Sequence, residues 1–181
     1  MIRRQLINFQ NRSVDVRVGL GAFDELSRMF ASAVGKPKRA MVVWNSASSE
    51  RFDEVVEHAL VDAGFAVSQF SLEVSPAGAT LADADAIFGA LSANGITCDD
   101  LVVAVGDAAT CSVVSWCANQ WCGRTECALL PTTFDAMLTV ATTMKPLIAS
   151  SSNALPAIAF RPEPGLVVCD LDLVREADPE D

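Results

Sequence analysis

LVVAVGDAATCSVVSWCANQWCGRTECALLPTTFDA, residues 101–136, opens on five apolar side chains, Leu101 to Val105, that stop at Gly106. Small residues follow and lead into a second apolar segment with helical periodicity. The pattern reads as a buried strand, a tight turn and a helix. In open α/β sheets ligands settle at the carboxyl ends of such strands, where the first turn of a helix offers unpaired N–H groups and a partial positive charge to an anion. A small-molecule site therefore belongs at the Gly106 turn.

Upstream of this stretch, strands and helices alternate. Val14 to Val18 alternates apolar with polar residues, as a strand with one wet face does, and Gly19-Leu20-Gly21 turns the chain. Ala22 to Ala33 has helical spacing, with Phe23, Leu26, Met29 and Phe30 on one face. Arg39 to Trp44 is a mostly apolar strand, and Asn45-Ser46 suits a turn and helix cap. Glu50 to Ala63 reads as an amphipathic helix ended by Gly64, with Phe52, Val55, Val56, Leu60 and Val61 as its expected buried stripe. Phe65 to Leu72 is a strand, Pro76-Ala77-Gly78 a loop, and Leu81 to Ala93 a helix closed by Asn94-Gly95. After Lys145, Pro146, Pro156, Pro162 and Pro164 break the chain into loop, and Gly165 to Cys169 reads as a last short strand. Strands alternating with helices of this length indicate an α/β, Rossmann-like fold: a mainly parallel sheet with helices on both faces.

Composition narrows the function. The 181 residues suit one large domain, and a hydrophobic fraction of 51% excludes disorder as the class. A formal net charge of −10 argues against a nucleic-acid surface or an anionic membrane as partner. No apolar run reaches the roughly twenty residues that span a bilayer, and none of signal-peptide length follows the basic start, so a cytoplasmic location is expected. The six cysteines contain no C-x-x-C pair and read as buried, reduced thiols. The single histidine, His58, lies in a helix far along the chain from the Gly106 turn and reads as a surface or half-buried helix residue; one histidine is too few for a catalytic zinc, and no metal ligand is assigned.

The order of elements, with Asp100 to Gly106, the Pro131-Thr132-Thr133 turn, Val167 to Leu173 and the early glycines Gly19 and Gly21, resembles the N-terminal domain of the 3-dehydroquinate synthase family, within the superfamily that includes glycerol dehydrogenases and iron-dependent alcohol dehydrogenases. The resemblance implies a nucleotide-binding domain over residues 1–174, with 175–181 an acidic tail or the start of a linker. The family joins such a domain to a helical C-terminal domain that supplies most ligands of a divalent metal. With NAD and that metal its enzymes act as carbon–oxygen lyases of the shikimate pathway. The chain stops about where the family crosses into the second domain, so the expectation is that the metal-binding half is absent and no residue here is catalytic alone.

By the same resemblance, Gly19, Gly21, Asn45, Gly106, Asp107, Thr132, Thr133 and Lys145 are the positions that would line a cofactor site for NAD; their other reading is as turn and cap residues kept for folding. The family's glycine triplet stands here as Gly106-Asp107-Ala108, its following aspartate as Ser112, and its loop glutamate and lysine near Ala79 and Ala82. The aspartate after the threonine pair falls at Thr139, the glycines beside Lys145 are replaced by Thr143-Met144, and a phosphate-binding lysine has no counterpart around Ala154 or Leu155. Asp107 would repel a pyrophosphate, or act as an ordinary helix cap. Two functions follow: a degenerate dehydroquinate synthase-like domain in which NAD binding is weak or lost, or a non-catalytic interaction module. The second pairs as a homodimer or with a complementary C-terminal-domain subunit, and the Trp116/Trp121 region is its expected apolar patch. An alcohol dehydrogenase-like domain is a third option.

Overall fold

A computed structural model of the chain describes residues 1–9, 12–33, 38–45, 52–75, 78–148 and 156–176. Ser46, Glu50, Pro76, Ala77, Ala154, Leu155 and residues 177–181 of the acidic tail, all named above, lie outside the described residues. Seven strands form one sheet in the order β1-β2-β9-β6-β5-β3-β4. They are β1 (Arg3–Phe9), β2 (Arg12–Gly19), β3 (Arg39–Asn45), β4 (Ala66–Leu72), β5 (Leu101–Gly106), β6 (Glu126–Pro131) and β9 (Leu166–Asp170). Only β1 runs antiparallel, paired with β2; every other neighbouring pair is parallel. The fold is the α/β, Rossmann-like architecture that the alternation of elements implies.

Both faces of the sheet are covered, which is why its central strands are apolar throughout. In β5, Leu101, Val103 and Val105 point to one face and Val102 and Ala104 to the other, and none of the five is exposed. On the first face lie α1 (Leu26–Ala33) and α2 (Asp53–Asp62); on the second lie α3 (Leu81–Ala93), α4 (Ala108–Gln120) and α5 (Phe134–Thr139). A short helix, α6 (Asp172–Glu176), follows β9. Helix α4 is buried nearly all round, from Ala108 and Cys111 to Cys117 and Ala118, so the Gly106 turn is anchored from behind.

Local chemistry sets the helix ends. Helix α3 begins with a capping box: the Thr80 hydroxyl accepts from the Asp83 N–H at 3.3 Å, and the Thr80 N–H donates to Asp83 Oδ2 at 2.7 Å. It ends at Asn94, after which Gly95, at φ 61°, reverses the chain. Phe23, Leu26, Met29 and Phe30 are all buried, as their spacing implies.

Four expectations need correction. In α2, Val55 and Val61 are 43% and 52% exposed; the buried stripe is Val56, Ala59 and Leu60, with half-buried Phe52 and Ala63 packed against it. These lie four, seven, eight and eleven residues from Phe52, which follows the 3.6-residue period more closely than a stripe through Val55 and Val61. The region after Lys145 is not all loop, because β7 (Leu147–Ile148) and β8 (Pro156–Ile158) form a small antiparallel pair in which Leu147 and Ile148 are buried. Two of the six cysteines, Cys98 and Cys122, are exposed rather than buried. The Trp116/Trp121 region is not an open patch: both indoles are half-buried around Phe88, and Trp121 Nε1 donates to the Ile96 carbonyl at 2.7 Å.

Candidate functional site

Helix α2 follows β3 on one face of the sheet and α4 follows the adjacent β5 on the other, so the chain changes sides between these two strands. The carboxyl ends of β3 and β5 therefore form a topological switch point, the place where open α/β sheets take their ligands. Asn45 closes one side of it and Gly106 the other. The Asn45 amide donates to Thr110 Oγ1 at 3.2 Å, across the switch. A Cβ built on Gly106 would stand 2.9 Å from Asn45 Cβ and 3.1 Å from Thr110 Cβ. Glycine is required there because β3 and α4 leave no room for a side chain.

Asp107 is the N-cap of α4, its carboxylate accepting the Thr110 N–H at 2.8 Å. That N–H is one of the first-turn amides that a helix N-terminus can present to an anion. The Thr132 N–H donates to the Gly106 carbonyl at 2.9 Å, extending the β5–β6 ladder past the strands and holding the threonine pair beside the turn. Thr133 caps α5, accepting from the Ala136 N–H at 3.3 Å. Ser112 is buried in α4 and accepts the Lys145 N–H at 2.8 Å, while its own hydroxyl donates to the Ala108 carbonyl at 2.5 Å. Lys145 Nζ reaches Asp135 Oδ2 at 3.2 Å.

Six of the eight positions that the sequence nominates are thus linked around the first turn of α4: Asn45, Gly106, Asp107, Thr132, Thr133 and Lys145. Gly19 and Gly21 share the same edge of the sheet but sit at the end of β2, with β9 and β6 between them and β5. At the usual strand spacing they are about 14 Å from Gly106. Gly19 lies under the N-terminus: a Cβ built on it would stand 2.8 Å from both Ile2 Cα and the Met1 carbonyl oxygen.

The reading of the sequence assigned no role to the carboxylates that fasten this second turn. Asp170, 5% exposed, accepts the Gly21 N–H at 3.1 Å through one oxygen and the Phe23 N–H at 2.8 Å through the other. Asp172 takes the Gly21 N–H as well, at 2.8 Å. An aspartate closing an apolar strand was the available signal: Asp170 ends β9 at the ligand edge. Among the described residues no cluster of histidine, cysteine or carboxylate side chains is arranged to hold a metal, and His58 is exposed on α2.

The switch point offers amide and hydroxyl partners suited to a ribose or base, in Asn45, Thr132 and Thr133. Of the first-turn N–H groups of α4, that of Thr110 is met by the Asp107 carboxylate, and Lys145 is paired with Asp135.

No protein-family model matches the sequence, and no curated protein matches it. Solved structures do. The chain superposes on 2-deoxy-scyllo-inosose synthase in complex with carbaglucose-6-phosphate, NAD+ and Co2+, with a TM-score of 0.81 at 16% identity, over 98% of this chain and 48% of that one. The likeness is one of fold. It extends to 2-epi-5-epi-valiolone synthase from Streptomyces hygroscopicus subsp. jinggangensis 5008 with NAD+ and Zn2+ bound (TM-score 0.72, 14% identity, 96% and 47% covered). It also includes an iron-containing alcohol dehydrogenase from Thermotoga maritima (TM-score 0.64, 16% identity, 92% and 48% covered). The chain spans about half the length of these neighbours. No helix among the described residues is long and apolar enough to cross a membrane.

Proposed function

We propose that this chain is a nucleotide-binding half of the dehydroquinate synthase-like kind whose pyrophosphate subsite is closed by its own aspartate. It holds NAD weakly or not at all and does not catalyse alone. One observation carries the reading: the Asp107 carboxylate sits on the Thr110 N–H at the mouth of α4. A phosphate brought to about 4 Å from it would meet a repulsion of roughly 4 kcal/mol at an effective dielectric near 20. That is on the order of a thousandfold in affinity. Solvent at half-buried Asp107 makes this an upper bound. Sugar-phosphate cyclases among the fold's neighbours contain NAD+ together with Co2+ or Zn2+. Were this half to serve a lyase of that kind, the metal ligands would come from outside the described residues.

Calorimetry with NAD tests the proposal. The wild-type chain is expected to give little or no heat at millimolar NAD, and Asp107→Gly to gain about tenfold or more in affinity. Glycine is a tolerable N-cap that costs only a few tenths of a kcal/mol against aspartate, so the variant keeps the helix. Micromolar NAD binding by the wild type, or no gain in the variant, would overturn it.

A second reading, an interaction subunit, is favoured by a specific surface. Phe134 and Leu138, one turn apart on α5, are 57% and 64% exposed on the helix that Thr133 caps. A second copy, or a subunit resembling the family's C-terminal domain, is the partner this surface implies.

A further inference from the structure

At the opposite edge of the sheet, where the parallel strands begin, lies a cavity of about 630 Å³. Three arginines converge on it from separate parts of the chain: Arg12 at the start of β2, Arg124 just before β6, and Arg161 in the segment leading to β9. In a protein of net charge −10 such a gathering is not a sample of average surface. Phe9, Val14 and Pro162 give the cavity an apolar wall.

The charges are only partly matched. Glu163 is shared: its carboxylate lies 3.7 Å from Arg12 and 3.4 Å from Arg124. Glu126 takes the other arm of Arg12 at 3.6 Å, and it can lie there only because Gly165 has no side chain; a Cβ at Gly165 would fall 1.7 Å from Glu126 Oε1. Arg161, exposed, has no hydrogen bond or ion pair among the described residues. Three cations thus face two carboxylates. Arg124 Nη2 is buried without a hydrogen-bond partner, a costly arrangement for a charged donor. Its backbone is strained as well. Arg124, at φ 123°, and Cys122, at φ 50°, are the only non-glycine residues with positive φ among the described residues. Strain of this kind gathers where a side chain must be aimed.

We propose that this cavity binds a small organic oxyanion, a phosphate monoester or a carboxylate, whose apolar part packs on Phe9 and Pro162. The volume suits a small molecule. Guanidinium forks match the paired oxygens of either group, and Arg161, exposed at the cavity, is the donor left to take them. The site is separate from the Gly106 switch point and does not rest on the reading given for it.

The test is calorimetry on the full chain at low ionic strength, with phenyl phosphate, benzoate and inorganic phosphate as probes. Saturable binding of phenyl phosphate or benzoate is expected, whichever binds tighter giving the class of anion, with inorganic phosphate weaker because it leaves the apolar wall bare. Arg161→Ala, at an exposed position, should weaken binding about tenfold, a loss of the size expected for one charge-assisted contact. Glu163→Gln should tighten it by removing the competing carboxylate. No saturable binding by any probe, inorganic phosphate binding as tightly as the organic anions, or affinity indifferent to both Arg161→Ala and Glu163→Gln would each overturn the proposal.

Discussion

On the proposed reading, a single atom at Gly106 and a single charge at Asp107 decide what the switch point admits. Gly106→Ala forces a methyl group against Asn45 and Thr110 and is expected to destabilise the chain by about 1–3 kcal/mol, read from the urea midpoint. The thiols give a second check at this scale. Burial pushes Cys111, Cys117 and Cys127 well up, and Cys169 to about 11, whereas Cys98 and Cys122 are exposed. A thiol reagent at mildly alkaline pH should therefore label Cys98 and Cys122 in the folded protein and the other four only after denaturation; rapid native labelling of Cys111 would contradict the packing of α4. The sequence exposed Gly106 and Asp107 plainly, because a glycine and a capping residue stand out after an apolar run. It could not show that Asp170 and Asp172 clamp the Gly21 amide, since those groups are about 150 residues apart and only the β2–β9 pairing brings them together.

Among the elements, α3 and β1 mark the two extremes of legibility. Helix α3 has the bounds the sequence implies, Leu81 to Ala93 closed by Asn94-Gly95, and the structure adds the Thr80–Asp83 capping box at its start. Thr80→Ala removes the cap and should cost about 1 kcal/mol in chemical denaturation. Strand β1, RRQLINF, left no signal in the pattern: most of its side chains are exposed, so neither face carries an apolar alternation. Pairing with β2 makes it a strand, helped by the Asp15 carboxylate, which holds Arg17 Nε at 2.8 Å and Arg4 Nη2 at 3.0 Å. Burial raises the Asp15 pKa, but the two arginines overcome that, and the net shift is downward. A carboxyl depressed on folding stabilises fully above its unfolded pKa and loses that contribution as pH falls through the folded value. Wild type should therefore lose stability more steeply than Asp15→Asn between about pH 5 and pH 2. Superimposable pH profiles would show that the triad contributes nothing. Strand β6 and helix α5 are further elements that the sequence reading passed over, being six residues each and next to a more conspicuous turn.

For the whole molecule, the alternation of apolar runs implied the parallel sheet covered on both faces, and the strand order is what placed the switch point. Periodicity cannot supply that order, which depends on which strand of equal hydrophobicity is chosen as neighbour. The exposed side chains of α5 carry the prediction at this scale. Phe134→Ser with Leu138→Ser should change folding stability by no more than about 0.5 kcal/mol per site, since neither side chain is in the core. If α5 is a contact surface, light scattering across concentrations should show an assembly in the wild type that is lost in the double variant. A wild type that is monomeric alone and with a candidate partner subunit would end the interaction reading.

The hydrogen bond from Asn45 to Thr110 acts as a latch between the two halves of the sheet, with the Thr110 side chain sealed from solvent. Anything that wedges between the tips of β3 and β5 strips that hydroxyl of its donor, in a place water does not reach. A hydrocarbon visitor has nothing to give in return, while one bearing an alcohol or amide can take over the vacated role. If a ligand enters here, as the proposed function has it, what it can donate therefore counts ahead of how well its outline fits.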